Sequence, residues 1–283
     1  MTPSLHQRVR RTSLLAVTFL LVSAAAVLAH DFWLVPDAFS IAPGGELVVR
    51  GQTSSDFPKS ESAVALDRIA SAALIGATGS EPIRGLSHAG TSLLIRQPMS
   101  REPGQRVVAV ALHPRTVRES PESFRRYLVL EGAPEALARY ERDGLLPTDS
   151  ITRRYAKYAK TLVEVGAGGP AAFDRPASHP AEFIPLADPR ALAPGDTLPV
   201  RLVFRGQPVR GARLHAGTAP TGDGAKDFDL TTDAHGVARV PIARRGLWNV
   251  RAIHIVPADA ASGADWDVHW TTLVFGIEPQ RGR

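Results

Sequence analysis

Among the nine histidines of this sequence, one is placed to do chemistry that the others are not. His30 ends the small-residue run AAAVLA and opens the segment HDFWLVP. If the chain is cut between Ala29 and His30, the residue presents a free α-amine beside its own ring Nδ1. Those two nitrogens chelate one ion without any pre-folded loop, and nitrogen-rich tetragonal sites suit Cu(II) and Ni(II). A second imidazole would complete a three-nitrogen set, and His254 is the expected donor. In WNVRAIHIV, strand alternation puts Trp248, Val250, Ala252 and His254 on one face, with Ile253 and Ile255 on the other. A carboxylate from Asp31 or Asp265 then closes the shell, so the candidate metal ligands are His30, His254, Asp31 and Asp265. The competing reading of His254 is a hydrogen-bonded structural histidine. Ligand type alone does not choose among nickel, cobalt, copper and zinc.

The remaining chemistry is thinner. DWDVH puts Asp265, Asp267 and His269 at alternate positions, which suits either a divalent ion or a solvated charged edge, the favoured reading. His88, His113, His179, His215 and His235 read as exposed loop or turn residues. TGDGAKDFD lacks the ligand spacing of a calcium loop and reads as a loop. GLSHAG misses the final glycine of a nucleophile elbow, and no phosphate-binding or dinucleotide glycine motif occurs. Tyr155, Lys157, Tyr158 and Lys160 resemble a Y-x-x-x-K pair, but without a cofactor motif they read as one face of a helix. No enzymatic activity is expected.

Whether His30 becomes a terminus depends on what precedes it. Arg8, Arg10 and Arg11 form a positive front, an apolar stretch begins at Leu14, and small residues follow, which is the layout of a secretory signal peptide. Val27 and Ala29 satisfy the small-x-small pattern, so residues 1–29 are expected to leave and the mature chain to be periplasmic. The apolar stretch is short of the roughly 20 residues a spanning helix needs, and no later run is long enough. Of the formal charge of +5, three units depart with those arginines, leaving +2. A near-neutral mature chain gives no electrostatic case for a nucleic-acid partner. The absence of cysteine excludes disulfides and thiolate ligands.

The elements that must position these residues read as mostly β. DFWLVP, GELVVRG, TSLLIRQ and QRVVAVALHP are strand-like, while SAVALDRIASAALIGA is ambiguous between strand and helix. SPESFRRYLVLEG, APEALARYERDG and DSITRRYAKYAKTLVEVG carry caps and helical spacings, predicting two or three short helices near 120–162. Gly166–Pro180 reads as a linker. Seven strand-like segments then follow, with TDAHG as a hairpin turn opened by Asp233 and closed by Gly236. The expectation is two β-sandwich domains: 30–170 with a helical insert, and 180–283 as an immunoglobulin-like or transthyretin-like sandwich.

HDFWLVP, Phe57-Pro58 with Glu61, YAKYAK, EFIPLADP, TDAHG, GLWNVRAIHIVP and the DW…WTTLVF stretch from Asp265 occur in this order. Together they resemble a bacterial exported family of unknown function, often labelled as a periplasmic component of nickel/cobalt uptake. The resemblance spans essentially the whole mature chain. It implies a two-sandwich periplasmic protein that binds nickel or cobalt, with copper or zinc as alternatives, and a membrane transporter component as partner. His269 stands where family members often carry another aromatic or polar residue. A sandwich that binds a polysaccharide or a protein is the alternative, and a copper redox protein built on His30 a weaker one.

Overall fold

The structure is a computed structural model that describes residues 30–142, 149–219 and 227–277; the expected signal peptide lies outside them. The first half runs β1 (Asp31–Pro36), β2 (Ser40–Ile41), β3 (Glu46–Ser54), β4 (Ile69–Ile75), β5 (Ser80–Pro82), β6 (Gly85–Ala89), β7 (Ser92–Pro98), β8 (Gly104–Leu112) and β9 (Arg115–Glu119). Helices α1 (Pro121–Leu130) and α2 (Pro134–Arg142) follow, then β10 (Ile151–Val165). The second half adds β11 (Ala181–Pro185), β12 (Thr197–Phe204), β13 (Gln207–Pro208), β14 (Arg213–Ala219), β15 (Phe228–Thr231), β16 (Val237–Pro241), β17 (Gly246–Pro257) and β18 (Trp266–Ile277). The mostly β expectation holds. Among the described residues no helix is long and apolar enough to cross a membrane.

A ten-stranded central sheet runs β15-β14-β17-β18-β10-β8-β4-β5, with β2 and β9 also pairing to β10. Its two halves come from the two halves of the chain. They meet where β10 and β18 pair in parallel, from Arg153 opposite Trp266 to Thr161 opposite Val274. The segments 30–170 and 180–283 therefore share one continuous sheet.

Two smaller sheets cover opposite faces of it. On the front, β1-β3-β7-β6 packs Phe32, Leu34, Val49 and Leu93 against Leu74, Val108, Val110 and Val163. On the back, β11, β12 and β16 pack Phe183, Val200, Leu202 and Val240 against Val107, Leu162, Trp248 and Phe275. The parity explains the split: Val107 and Ala109 of β8 face back while Val108 and Val110 face front. The helices cover the front farther along, where Phe124, Leu128 and Tyr140 meet Trp266, Val268 and Trp270.

The third expected helix, in 149–162, is instead the long strand β10. Its two ends alternate in burial, but its middle, Tyr155 to Val163, is buried on both faces. A doubly covered strand loses the polar–apolar alternation that marks a strand, and Tyr155, Ala159 and Leu162 then mimic a helical stripe. The other local signals hold. Ser120 caps α1 by accepting from the Ser123 amide at 3.1 Å, with Pro121 in the first turn. The Asp233 carbonyl accepts from Gly236 N at 3.0 Å, and Gly236 adopts φ +72° to close the turn. SAVALDRIASAALIGA resolves into a short 3-10 turn, Leu66–Arg68, and then β4. Gly166–Pro180 carries no regular element but is anchored, because the Gln105 side-chain oxygen accepts from Ala172 N at 2.9 Å and Phe173 N at 3.0 Å. Ser120→Ala is expected to lower stability by about 1 kcal/mol, read by urea denaturation; an unchanged midpoint would assign α1 wholly to tertiary packing.

Candidate functional site

His30 lies at the head of β1, 5% exposed. β1 lies across β10 and β18 on the front face, because its residues are nearly all apolar and both long strands offer it polar anchors. Lys157 Nζ donates to the His30 carbonyl, and Thr272 Oγ1 donates to the Phe32 carbonyl at 2.6 Å. The His30 ring is fixed from one side only. Its Nε2 lies 3.3 Å from Glu61 Oε2, and the Ser54 hydroxyl donates to the same carboxylate at 2.7 Å. Its Nδ1 is buried and has no hydrogen-bond partner.

Asp31 continues the pattern. Its Oδ2 lies 3.4 Å from Arg251 Nε, while its Oδ1 is buried without a partner. Arg251 also reaches Glu131 Oε2 at 3.9 Å, so one guanidinium from β17 bridges the first strand and the end of α1. Burial raises Asp31 to about 6 against the opposing pull of Arg251 and Lys157. Burial likewise raises Glu131 to about 7, again opposed by Arg251. The same desolvation lowers Lys157 to about 8, with Asp31 working against it. Around this core, Arg153 pairs with Glu119 and sits 4.4 Å above the Tyr127 ring. The Tyr127 hydroxyl, Arg153 Nη1 and Trp270 Nε1 are all buried without partners. Buried polar atoms are normally satisfied. A concentration of orphaned ones beside carboxylates and a lysine with displaced pKa values makes this cluster the candidate functional site.

The structure places His30 and Asp31 at the head of β1 with their side chains held by different partners, Glu61 and Arg251, and separates both from the other two sequence candidates. His254 pairs across the ladder with His269, on the face opposite Arg251, Trp270 and Lys157. The whole thickness of the sheet stands between it and His30. Its ring packs on Phe204, centroids 4.6 Å apart. The Asp265 carboxylate accepts from the Thr152 amide at 2.7 Å, tying the start of β18 to β10. Asp267 and His269 form no solvated edge; they are 2% and 8% exposed because the back sheet covers them. His179 is buried rather than exposed, beside the Tyr158 ring at 5.4 Å. His215 lies in β14, half-buried, paired with Asp229. Glu61, Glu131, Lys157 and Arg251 were not legible as site residues. Nothing in a one-dimensional pattern distinguishes a buried Lys157 from a solvated one.

His179, His254 and His269 are each lowered to about 4 by burial. Unfolded, such rings titrate near pH ~6.5. As pH falls from there toward 4, the unfolded chain takes up protons that the folded chain does not, and stability declines. Asp31 and Glu131 act in the opposite sense, since their raised values add stability as pH falls below about 7. The clean measurement is thus a difference. His269→Gln is expected to reduce the acid loss relative to wild type by on the order of 1 kcal/mol per pH unit between ~6.5 and ~4. Parallel pH profiles of the two proteins would show a shared native-state proton uptake instead.

Fold and site together define a mostly β, layered protein with a buried polar cluster at the head of its first strand. The chain belongs to the domain family of unknown function DUF4198, whose profile matches residues 27–256. No curated protein matches the sequence. Among solved structures it is similar to the Escherichia coli adhesin FdeC, at 16% identity over 87% of this chain and 63% of that one, with a TM-score of 0.23. It is also similar to the D0-D1 domain of intimin, at 13% identity over 87% of this chain and 98% of that one, with a TM-score of 0.19. A third is the Bacteroides ovatus SGBP-B, solved with a mixed-linkage heptasaccharide, at 9% identity over 88% of this chain and 46% of that one, with a TM-score of 0.22.

Proposed function

We propose that the protein is a non-catalytic, exported binding module, processed after Ala29 and periplasmic, and that the buried polar cluster around His30 holds a late divalent metal ion. The observation that carries this is the state of the His30 ring. Glu61 holds Nε2, and Nδ1, the nitrogen able to share an ion with the residue's own α-amine, is buried and unpartnered. A carboxylate on one ring nitrogen is the usual support for a histidine that ligates through the other. Asp31 Oδ1, equally unpartnered, is the candidate oxygen, and its side chain would have to turn toward Nδ1 to supply it. Among the described residues no three His, Asp or Glu side chains are grouped to hold an ion. In this proposal the α-amine released by processing is a further donor.

These nitrogen and oxygen donors suit nickel, cobalt, copper or zinc over magnesium or calcium. Delivery of nickel or cobalt to a membrane uptake component is the finer reading that the family resemblance suggests. Metal content of correctly processed protein, and its loss on blocking the α-amine, tests the reading.

A second reading, a sandwich that binds a protein or a polysaccharide, is favoured by a different observation. Val129 and Leu130, at the end of α1, are 54% and 73% exposed beside a groove of about 450 Å³ that includes Leu137 and Leu230. Apolar surface of that kind marks contact sites. Metal-free protein that still binds a partner through this surface would support it.

A further inference from the structure

On the back of the central sheet, opposite His30, lies a cleft of about 580 Å³. Ala111, Ala156 and Tyr158 form its buried floor, and Arg154, Ser178 and Arg205 stand around it. Two independent observations single it out. Ser178, at φ +58°, and Arg205, at φ +50°, are the described non-glycine residues with left-handed backbone, and both line this one cleft. Arg205 takes its φ from the two-residue Arg205-Gly206 turn that joins β12 to β13, whereas Ser178 lies in no hairpin, and such backbones gather at ligand sites.

The second observation is an excess of donors. Arg154 spends Nε and Nη2 on the two oxygens of Asp267, each at 2.8 Å, which saturates the buried carboxylate of the lining. The Tyr158 hydroxyl is engaged with His269 Nδ1 at 3.2 Å. Arg205 rides over Phe204, 5.0 Å from the ring centroid, and its ion pair is with the exposed Asp259 at 3.5 Å, outside the cleft. Both guanidinium groups border the cleft, and its one lining carboxylate, Asp267, is already held by Arg154.

We propose that this cleft binds a small organic carboxylate with a flat apolar body. The carboxylate sits on Arg205 at the mouth, where guanidinium fits it in two-pronged fashion. The apolar body lies on the Ala111–Ala156–Tyr158 floor, in a volume of the size ligand pockets have. His269, kept neutral by burial, adds no charge there. The proposal does not rest on the metal reading, since the sheet separates the two sites.

The test is calorimetric titration of the processed full chain with benzoate, against benzyl alcohol as its uncharged counterpart and galacturonate as a polar carboxylate. Benzoate is expected to bind one to one and about tenfold or more tighter than either comparator. Arg205→Gln, at an exposed position, is expected to weaken it by about tenfold, the worth of one charged hydrogen bond. Ala156→Leu, which fills the floor, should abolish binding. Absence of saturable benzoate binding, equal binding of benzyl alcohol or galacturonate, or an Arg205→Gln protein that binds as wild type would each overturn the proposal. N-terminal metal content, measured on the same samples, reports on the other site separately.

Discussion

Lys160→Met is expected to destabilise the protein by about 3–5 kcal/mol, the range for removing one partner of a buried ion pair. Lys160 and Glu182 are 1% and 3% exposed, and Nζ donates to Oε2 at 2.8 Å. The pair lies on the back of β10, where it ties β11 and the preceding crossing to the central sheet. Glu182 Oε2 also accepts from the Ala177 amide at 2.8 Å. With the ammonium gone, a carboxylate stays buried with one amide donor and no counter-charge. The double variant Lys160→Met with Glu182→Gln removes both charges and keeps an acceptor for Ala177. It should recover most of the loss, because an uncharged pair avoids the desolvation that a lone ion suffers. Urea denaturation of the three proteins is the measurement. A single variant within about 1 kcal/mol of wild type would show that water reaches the carboxylate, as it does for exposed pairs.

The second large effect concerns the α-amine of His30. One alanine added before His30 in the mature chain turns that amine into an amide and removes a donor from the proposed shell. The loss in metal affinity should exceed the roughly 10–100-fold that removing an outer partner costs. Glu61→Gln, which weakens the hold on Nε2, should fall within that smaller range. His254→Ala should leave metal affinity unchanged, because the sheet separates His254 from His30, and should lower stability through the lost contact with Phe204. Intact mass must first place the mature terminus at His30. Titration with nickel, cobalt, copper and zinc then decides. If the extended chain binds them as tightly as the native one, His30 does not anchor the ion.

What could be read without the fold was local. The alternation in VARVP and WNVRAIHIV is a property of a backbone that turns its side chains over at every residue. It correctly put Trp248, Val250, Ala252 and His254 on one side. The Ser120 cap and the Asp233–Gly236 turn are likewise satisfied within a few residues. His30 stood out because its chemistry depends on the peptide bond before it.

The tertiary structure alone decided which face β1 would cover. That choice put Lys157, Arg251 and Glu131 around Asp31, and left His254 beneath the other sheet. It depends on how two layers pack against β10 and β18, an energy summed over contacts far apart in the chain. It also explains why β10 reads as a helix: on a strand buried on both faces, polar residues such as Lys157, Lys160 and Thr161 do not fall at the alternate positions that would reveal a strand. The buried charges of Lys157 and Lys160 were invisible for the same reason, since a lysine's environment is set by what packs over it and not by its neighbours in sequence.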